Sequence, residues 1–124
     1  MRVIIAGSRT FTDYDLLVST CDRILANTEV THIVSGGNGT KKDGIATQGA
    51  DAMGEQYAAE RGYLVKQFLP DWSNGPKGGP ERNALMADNA DALIAFHDGK
   101  SRGTADMIRR AKAAGLKVRV VAFV

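Results

Sequence analysis

Five short apolar segments alternate with four segments of helical periodicity along this chain of 124 residues. The apolar segments, which are typical of strands, span residues 2–6, 31–35, 64–69, 92–96 and 118–124. Strands that alternate with helices favour a parallel sheet with helices on both faces. The sequence therefore predicts one three-layer α/β domain over residues 1–124. Right-handed crossovers leave a few doubly wound strand orders, of which we favour 3-2-1-4-5.

Local signals set the limits of the predicted helices. Thr12 begins a sequence similar to a capping box, and the helix after it places Cys21 on its apolar face as a core residue. The second helix opens at residues 49–58 and stops at Gly62. The third has Pro80 in its first turn and ends near Asn89, and the fourth is capped by Thr104.

Composition excludes several classes of protein. The single cysteine rules out a disulfide framework, and the two histidines, His32 and His97, lie too far apart for a zinc signature, so we expect no metal and no cofactor. A net charge of +2 is too small to argue for nucleic acid or a membrane surface. The apolar run at residues 3–6 is too short for a signal peptide, and we expect a cytoplasmic protein.

Three glycine-bearing loops follow predicted strands. They are Gly7-Ser8-Arg9, Ser35-Gly36-Gly37 and the segment 98–104, in which Asp98, Gly99, Ser101, Gly103 and Thr104 stand. In an open α/β sheet, ligands bind beyond the carboxyl ends of the strands, where the strand order reverses. Glycine turns with free N–H groups suit a phosphate, and Arg9, Arg82 and Arg102 supply positive charge. The alternative is that these glycines only make tight turns, but three such loops at one edge favour a ligand site.

Four carboxylates are candidates for acid–base chemistry or for stabilising a sugar cation near this edge: Asp51, Glu55, Asp98 and Asp106. Asp51 and Asp106 both fall in the first turns of predicted helices, where interaction with the helix dipole is an alternative role. Trp72 lies in a loop rich in glycine and proline, and we expect it to anchor that loop on the core rather than to stack on a base. Arg109 belongs to a group of cations that we interpret as a solvated helix face.

Two common nucleotide fingerprints are absent. No Gly-x-Gly-x-x-Gly follows the first strand, and no Walker lysine motif occurs in the chain. Neither dinucleotide-dependent dehydrogenase chemistry nor a P-loop ATPase is expected.

Six ordered motifs together resemble the SLOG superfamily, in particular its small YspA-like bacterial and phage members. The motifs are Gly7-Ser8-Arg9-Thr10-Phe11, Ser35-Gly36-Gly37, Gly49-Ala50-Asp51 with Gly54-Glu55, Asp71-Trp72, Gly79-Pro80 with Arg82-Asn83 and Met86, and Gly103-Thr104 with Met107-Ile108. This group is related to the DNA-processing protein DprA and to the LONELY GUY phosphoribohydrolases. The resemblance implies a Rossmann-like fold that binds a nucleotide or a nucleotide-derived ligand, and it implies a homo-oligomer.

The resemblance also implies catalytic positions. In the LONELY GUY enzymes an arginine at the position of Arg82, and a glutamate shortly after Gly-Thr, serve cleavage of a base from ribose phosphate. Here Asp106 stands at the glutamate position, and His97-Asp98-Gly99 replaces the Pro-Gly-Gly of those enzymes. An aperiodic polar insertion, residues 38–48, separates two motifs that nearly adjoin in relatives, and it suits a lid, a specificity loop or an oligomer contact.

Three functions follow from this sequence. The first is binding of a nucleotide-derived ligand without turnover, as a sensor or a sequestering module. The second is hydrolysis of an N-glycosidic bond, with Arg82 holding the phosphate and Asp106 or Glu55 assisting the sugar. The third, DprA-like binding of single-stranded DNA, is disfavoured by the small net charge and by the lack of interleaved aromatic residues.

Overall fold

A computed structural model of the chain describes residues 1–123 and shows a five-stranded parallel sheet with four helices. The strands of this sheet are β1 (Arg2–Gly7), β2 (His32–Ser35), β5 (Leu64–Gln67), β6 (Ala92–His97) and β7 (Lys117–Ala122). The helices are α1 (Tyr14–Ile24), α2 (Ala50–Arg61), α3 (Gly78–Asp88) and α4 (Arg102–Ala113). A separate hairpin consists of β3 (Thr40–Lys42) and β4 (Ile45–Gln48). The last predicted strand included Val124, which lies outside the described residues.

The strand order is β5-β2-β1-β6-β7, and every pair in this sheet is parallel. Numbered among the five sheet strands alone, this is the predicted order 3-2-1-4-5, so the predicted fold is confirmed. β1 lies between β2 and β6, and the order reverses there. The carboxyl ends of β1 and β6 therefore flank the crevice in which α/β proteins of this type bind ligands.

Alternation along the central strands divides the core between two helical layers. Ile5 and Phe96 face the layer that contains α1 and α2, whereas Ile4 and Ala95 face the layer that contains α3 and α4. The four side chains are almost completely buried. Because β1 and β6 are covered on both faces, they appear in the sequence as continuous apolar runs.

Two predicted helix starts are wrong by a few residues. Asp13, rather than Thr12, caps α1, because its carboxylate accepts a hydrogen bond from the Leu16 N–H at 3.0 Å. Ser101, rather than Thr104, caps α4 by accepting a hydrogen bond from the Thr104 N–H. With α4 beginning at Arg102, Asp106 lies beyond the first turn in which it was expected. The predicted stop at Gly62 and the core position of Cys21 are confirmed.

The insertion is a two-stranded antiparallel hairpin and not the aperiodic loop that we expected. Asp43 and Gly44 form its turn with φ angles of 53° and 80°. Two successive positive φ angles are the signature of a type I′ turn, for which Asp-Gly is a preferred pair. The hairpin is attached to α2, since the Gln56 side chain accepts a hydrogen bond from the Ala46 N–H at 2.8 Å.

No helix within residues 1–123 combines the length and the apolar content that crossing a membrane requires.

Candidate functional site

A cavity of about 660 Å³ opens at the carboxyl ends of β1 and β6. This volume lies within the roughly 300–1,000 Å³ that is usual for small-molecule sites. The cavity brings together twelve of the residues that the sequence singled out: Gly7, Ser8, Arg9, Gly36, Asp51, Arg82, Asn83, Asp98, Ser101, Gly103, Thr104 and Asp106. Four others, Ser35, Gly37, Glu55 and Gly99, do not line it.

The end of β1 is held tightly against the end of β6. The Ser8 N–H donates to the Phe96 carbonyl oxygen at 3.0 Å, and the buried Ser8 hydroxyl accepts from the Asp98 N–H at 3.3 Å. A Cβ atom at Gly7 would lie 2.3 Å from the Phe96 carbonyl oxygen, so only glycine allows this approach. The two loops at the crevice thus have a fixed separation.

Asp98 shapes the loop before α4. Its Oδ1 accepts hydrogen bonds from the Lys100 and Ser101 N–H groups, both at 2.8 Å. These two backbone hydrogen bonds hold the pKa of Asp98 below its ordinary value. Asp98, a candidate from the sequence for acid–base chemistry, therefore stabilises the conformation of this loop.

Backbone N–H groups from two loops are available at the cavity. In residues 1–123, no hydrogen bond occupies the N–H groups of Arg9 and Thr10, after β1, or of Arg102 and Gly103, in the first turn of α4. All four residues line the cavity. Unoccupied N–H groups at a helix start, together with the helix dipole, favour an anion.

A chain of polar contacts links the end of β2 to α3 and α4. The guanidinium of Arg82 donates from Nη1 to the Gly36 carbonyl oxygen at 2.7 Å and from Nε to Asn83 Oδ1 at 3.0 Å. Asn83 Nδ2 in turn donates to Asp106 Oδ2 at 3.0 Å. Burial lowers the pKa of Arg82, but the group remains charged because arginine titrates far above neutral pH.

The Asp106 carboxylate is already occupied. Arg110 Nε donates to its Oδ2 at 2.9 Å, Arg109 contacts its Oδ1, and Asn83 supplies the third donor. Both oxygens of this carboxylate thus have donors from the protein itself. Asp106 therefore fits a role in holding α3 and α4 together better than one in abstracting a proton.

Asp51 is the buried carboxylate of the cavity wall. It is 5% exposed, and its Oδ2 accepts a hydrogen bond from the Asn38 N–H at 3.1 Å. Burial raises the pKa of Asp51 to about 6, although this hydrogen bond and the charge of Arg82 act in the opposite direction.

Glu55 lies outside the cavity and fixes the hairpin. It accepts hydrogen bonds from Ser35 Oγ at 2.7 Å, from Lys41 Nζ at 2.7 Å and from Gln67 Nε2 at 2.8 Å. Burial raises the pKa of Glu55, but these three hydrogen bonds outweigh it and hold the pKa below its ordinary value. The sequence placed Glu55 among the catalytic candidates, and the geometry gives it a structural role.

Two lining residues were interpreted differently from the sequence. Trp72 does not anchor its loop in the core: it is 53% exposed, borders the cavity and packs against Gly79, where a Cβ would lie 3.1 Å from Trp72 Cη2. Arg109, assigned to a solvated face, also reaches the cavity. Its spacing of three residues from Asp106 on one helix is the signal that could have identified it.

The chemistry that the site offers is recognition of an anion. Arg9, Arg82, Arg102 and Arg109 all line it, next to the available N–H groups. Within residues 1–123, no group of three or more His, Cys, Asp or Glu side chains is placed to hold a metal ion.

The parallel sheet, with its cavity where the strand order reverses, defines a Rossmann-like α/β protein. The chain belongs to the YspA, cpYpsA-related SLOG family, whose sequence profile matches residues 1–75. Among curated proteins, none matches the chain. A solved structure that is similar to it is the X-ray structure of TM1055, a structural-genomics target. It aligns with a TM-score of 0.63 and 23% identity over 94% of this chain and 71% of that chain. This likeness supports the fold.

Proposed function

We propose that the cavity binds a nucleotide or a nucleotide-derived ligand, and that the protein acts as a sensor or sequestering module for it. The observation that carries this proposal is the convergence of available backbone N–H groups from two loops with four arginine side chains around one cavity. The N–H groups at the start of α4 suit a phosphate, and guanidinium groups add charge in a bidentate geometry. Membership of the SLOG family supports the same class of ligand.

Trp72 adds a second element of nucleotide recognition. Its ring is half exposed at the border of the cavity, where an aromatic face is available to a base. Stacking on an aromatic side chain is tolerant of base identity. In this proposal, phosphate is held by the loops and arginines, and the base lies against Trp72.

Binding is favoured over cleavage of an N-glycosidic bond. Of the two carboxylates predicted to serve catalysis, Glu55 lies outside the cavity and Asp106 is occupied by three donors. A general acid or base must reach the ligand in a state that can exchange a proton. The predicted homo-oligomeric state and cytoplasmic location stay predictions from the sequence.

Calorimetric titration with AMP, ADP-ribose, NAD and cyclic nucleotides tests the proposal. We expect saturable binding of at least one compound, and we expect it to weaken in Arg82→Lys. The matched control is Arg119→Lys, because Arg119 is an exposed residue of β7 that does not line the cavity. Chromatography of the same mixtures for free base separates binding from hydrolysis. Absence of saturable heat across the whole panel would count decisively against a nucleotide site.

A further inference from the structure

Asp51 accepts fewer hydrogen bonds than the other acidic residues of the cavity. Asp98 Oδ1 accepts two backbone hydrogen bonds, and Asp106 accepts three side-chain hydrogen bonds. Asp51 accepts one, at Oδ2, from the Asn38 N–H. An ionised carboxylate has about four lone-pair sites. Asp51 therefore retains most of its capacity to accept hydrogen bonds.

The second oxygen of Asp51 faces the cavity. Within residues 1–123, the one fully buried side-chain polar atom that lacks a partner is His97 Nδ1. Asp51 Oδ1 accepts no hydrogen bond from that part of the chain, so it must retain contact with open space. Because the side chain is 5% exposed and lines the cavity, that open space is the cavity.

The surroundings of the Asp51 carboxylate favour hydrogen-bond donors of a ligand over its phosphate oxygens. A buried carboxylate repels phosphate oxygens and requires hydrogen-bond donors to offset its desolvation. Arg82 is adjacent: a Cβ at Gly36 would lie 2.9 Å from Asp51 Oδ2 and 2.7 Å from Arg82 Nη1. Yet these two side chains form no ion pair within 4 Å in the described residues. Asp51 therefore lacks a protein cation in direct contact and offers an acceptor to the ligand.

Asp51 and the candidate phosphate site belong to opposite helical layers. Asp51 is the second residue of α2, whose core residues pack on one face of the sheet. The available N–H groups of Arg102 and Gly103 belong to α4, on the other face. A ligand that fills the cavity thus meets a donor-rich wall from one layer and an acceptor from the other.

We propose that Asp51 is a specificity-determining residue that accepts a hydrogen bond from an uncharged donor of the ligand, while the phosphate is held by the loops. This inference rests on the proposed function and deepens it. Two parts of a nucleotide carry such donors, namely the ribose hydroxyl groups and the N–H groups of the base. The ligand class is a ribonucleoside phosphate in the first case and a nucleotide of restricted base identity in the second.

The experiment compares the unmodified protein with Asp51→Asn in calorimetric titrations. The asparagine carbonyl still accepts from the Asn38 N–H, so the fold is maintained, but the negative acceptor is lost. The ligands are AMP, GMP, CMP and UMP, the 2′,3′-dideoxy form of the tightest of these, ribose 5-phosphate and inorganic phosphate. The control variant is Asp88→Asn, which removes an exposed carboxylate of α3 outside the cavity.

We expect Asp51→Asn to weaken binding of the tightest-binding nucleotide by about tenfold or more, because a charged hydrogen bond is lost. Inorganic phosphate should bind both proteins to within about twofold, because in this proposal the loops hold it and it does not contact Asp51. If the donor is a ribose hydroxyl, ribose 5-phosphate also binds the variant more weakly than the unmodified protein. The dideoxy nucleotide then binds the unmodified protein weakly. If the donor is a base N–H group, ribose 5-phosphate binds the variant and the unmodified protein with the same affinity.

Two results would overturn the inference, and they are distinguishable. Equal affinity of the unmodified protein and Asp51→Asn for the tightest nucleotide removes the role of Asp51 and leaves the proposed function intact. Failure of every nucleotide and of phosphate to bind the unmodified protein removes both. Urea denaturation establishes that Asp51→Asn is folded, and the comparison of ribose and dideoxy ligands on the unmodified protein identifies a ribose donor without any variant.

Discussion

Arg82 Nη1 donates a 2.7 Å hydrogen bond to the carbonyl oxygen of Gly36. The contact joins α3 to the loop after β2, and both residues line the cavity. Because Arg82 also donates to Asn83, its guanidinium is fixed before any ligand arrives. A fixed guanidinium loses less conformational entropy on binding than a mobile one.

Replacement of Arg82 by lysine is expected to weaken nucleotide binding by about tenfold, since one ammonium cannot reproduce the planar arrangement of donors. The free energy of unfolding should also fall by roughly 1–2 kcal/mol, because the Gly36 carbonyl loses a charged donor. Calorimetry and urea denaturation measure the two effects. Arg119→Lys, the exposed control on β7, should change neither quantity.

Asp51 is expected to make stability depend on pH. Its pKa is about 6 in the folded protein and 3.8 in the ordinary reference state, so the folded state binds more protons between these values. The contribution of Asp51 to the free energy of unfolding is therefore favourable near pH 4 and is lost as pH rises through about 6. Arg82, Arg9 and Glu55 contribute smaller charge effects to this pKa.

Asp51→Asn mimics the protonated form at every pH. Its free energy of unfolding should match that of the unmodified protein near pH 4 and exceed it near pH 8 by on the order of 3 kcal/mol. Urea denaturation at several pH values measures the difference. A difference that is constant with pH would show that the pKa of Asp51 is the same in the folded and unfolded states.

Gly54 and Gly103 are both helical glycines, and they should respond oppositely to alanine. A Cβ at Gly54 would lie 2.8 Å from Cγ2 of the buried Ile5, whereas a Cβ at Gly103 meets no atom within 4 Å. Gly54→Ala should lower the free energy of unfolding by roughly 1–3 kcal/mol through overpacking. Gly103→Ala should be neutral or stabilising by up to about 1 kcal/mol, from helix propensity. Urea denaturation curves of both variants measure these changes in the free energy of unfolding.

Trp72 is the only tryptophan of the sequence, so its fluorescence reports directly on the cavity. Nucleotide binding should change its emission, and Trp72→Ala should weaken binding by about tenfold, given that base stacking contributes roughly 1–3 kcal/mol. Leu85→Ala is the matched control, because Leu85 is also 53% exposed but does not line the cavity. A nucleotide that binds Trp72→Ala with unchanged affinity would exclude stacking.

Sequence periodicity predicted the sheet because β1 and β6 are covered on both faces, which leaves uninterrupted apolar runs such as Ala92–His97. The hairpin was missed since its strands pack little apolar surface: all three residues of Thr40–Lys42 are exposed, and the Lys41–Glu55 ion pair holds this strand. The Asp43-Gly44 turn was the available signal.

The site was predictable to the extent that it depends on topology. Loops that follow β1 and β6 must meet at one edge, so Ser8 and Gly103 could be placed together from the sequence. The full set of hydrogen-bond partners of each carboxylate could not be predicted, because Glu55 accepts from Lys41 and Asp106 accepts from Asn83, both distant in sequence. Only the tertiary structure determines which acid remains available.

The pairing of β1 with β6 has a consequence for biosynthesis. Val3 is in register with Ala92, so β1 cannot pair with β6 until almost ninety further residues have left the ribosome. Contacts so distant in sequence form slowly, because a long loop must close first. A nascent chain that ends before β6 (Ala92–His97) has no crevice, so the cavity cannot form until this strand has been synthesised.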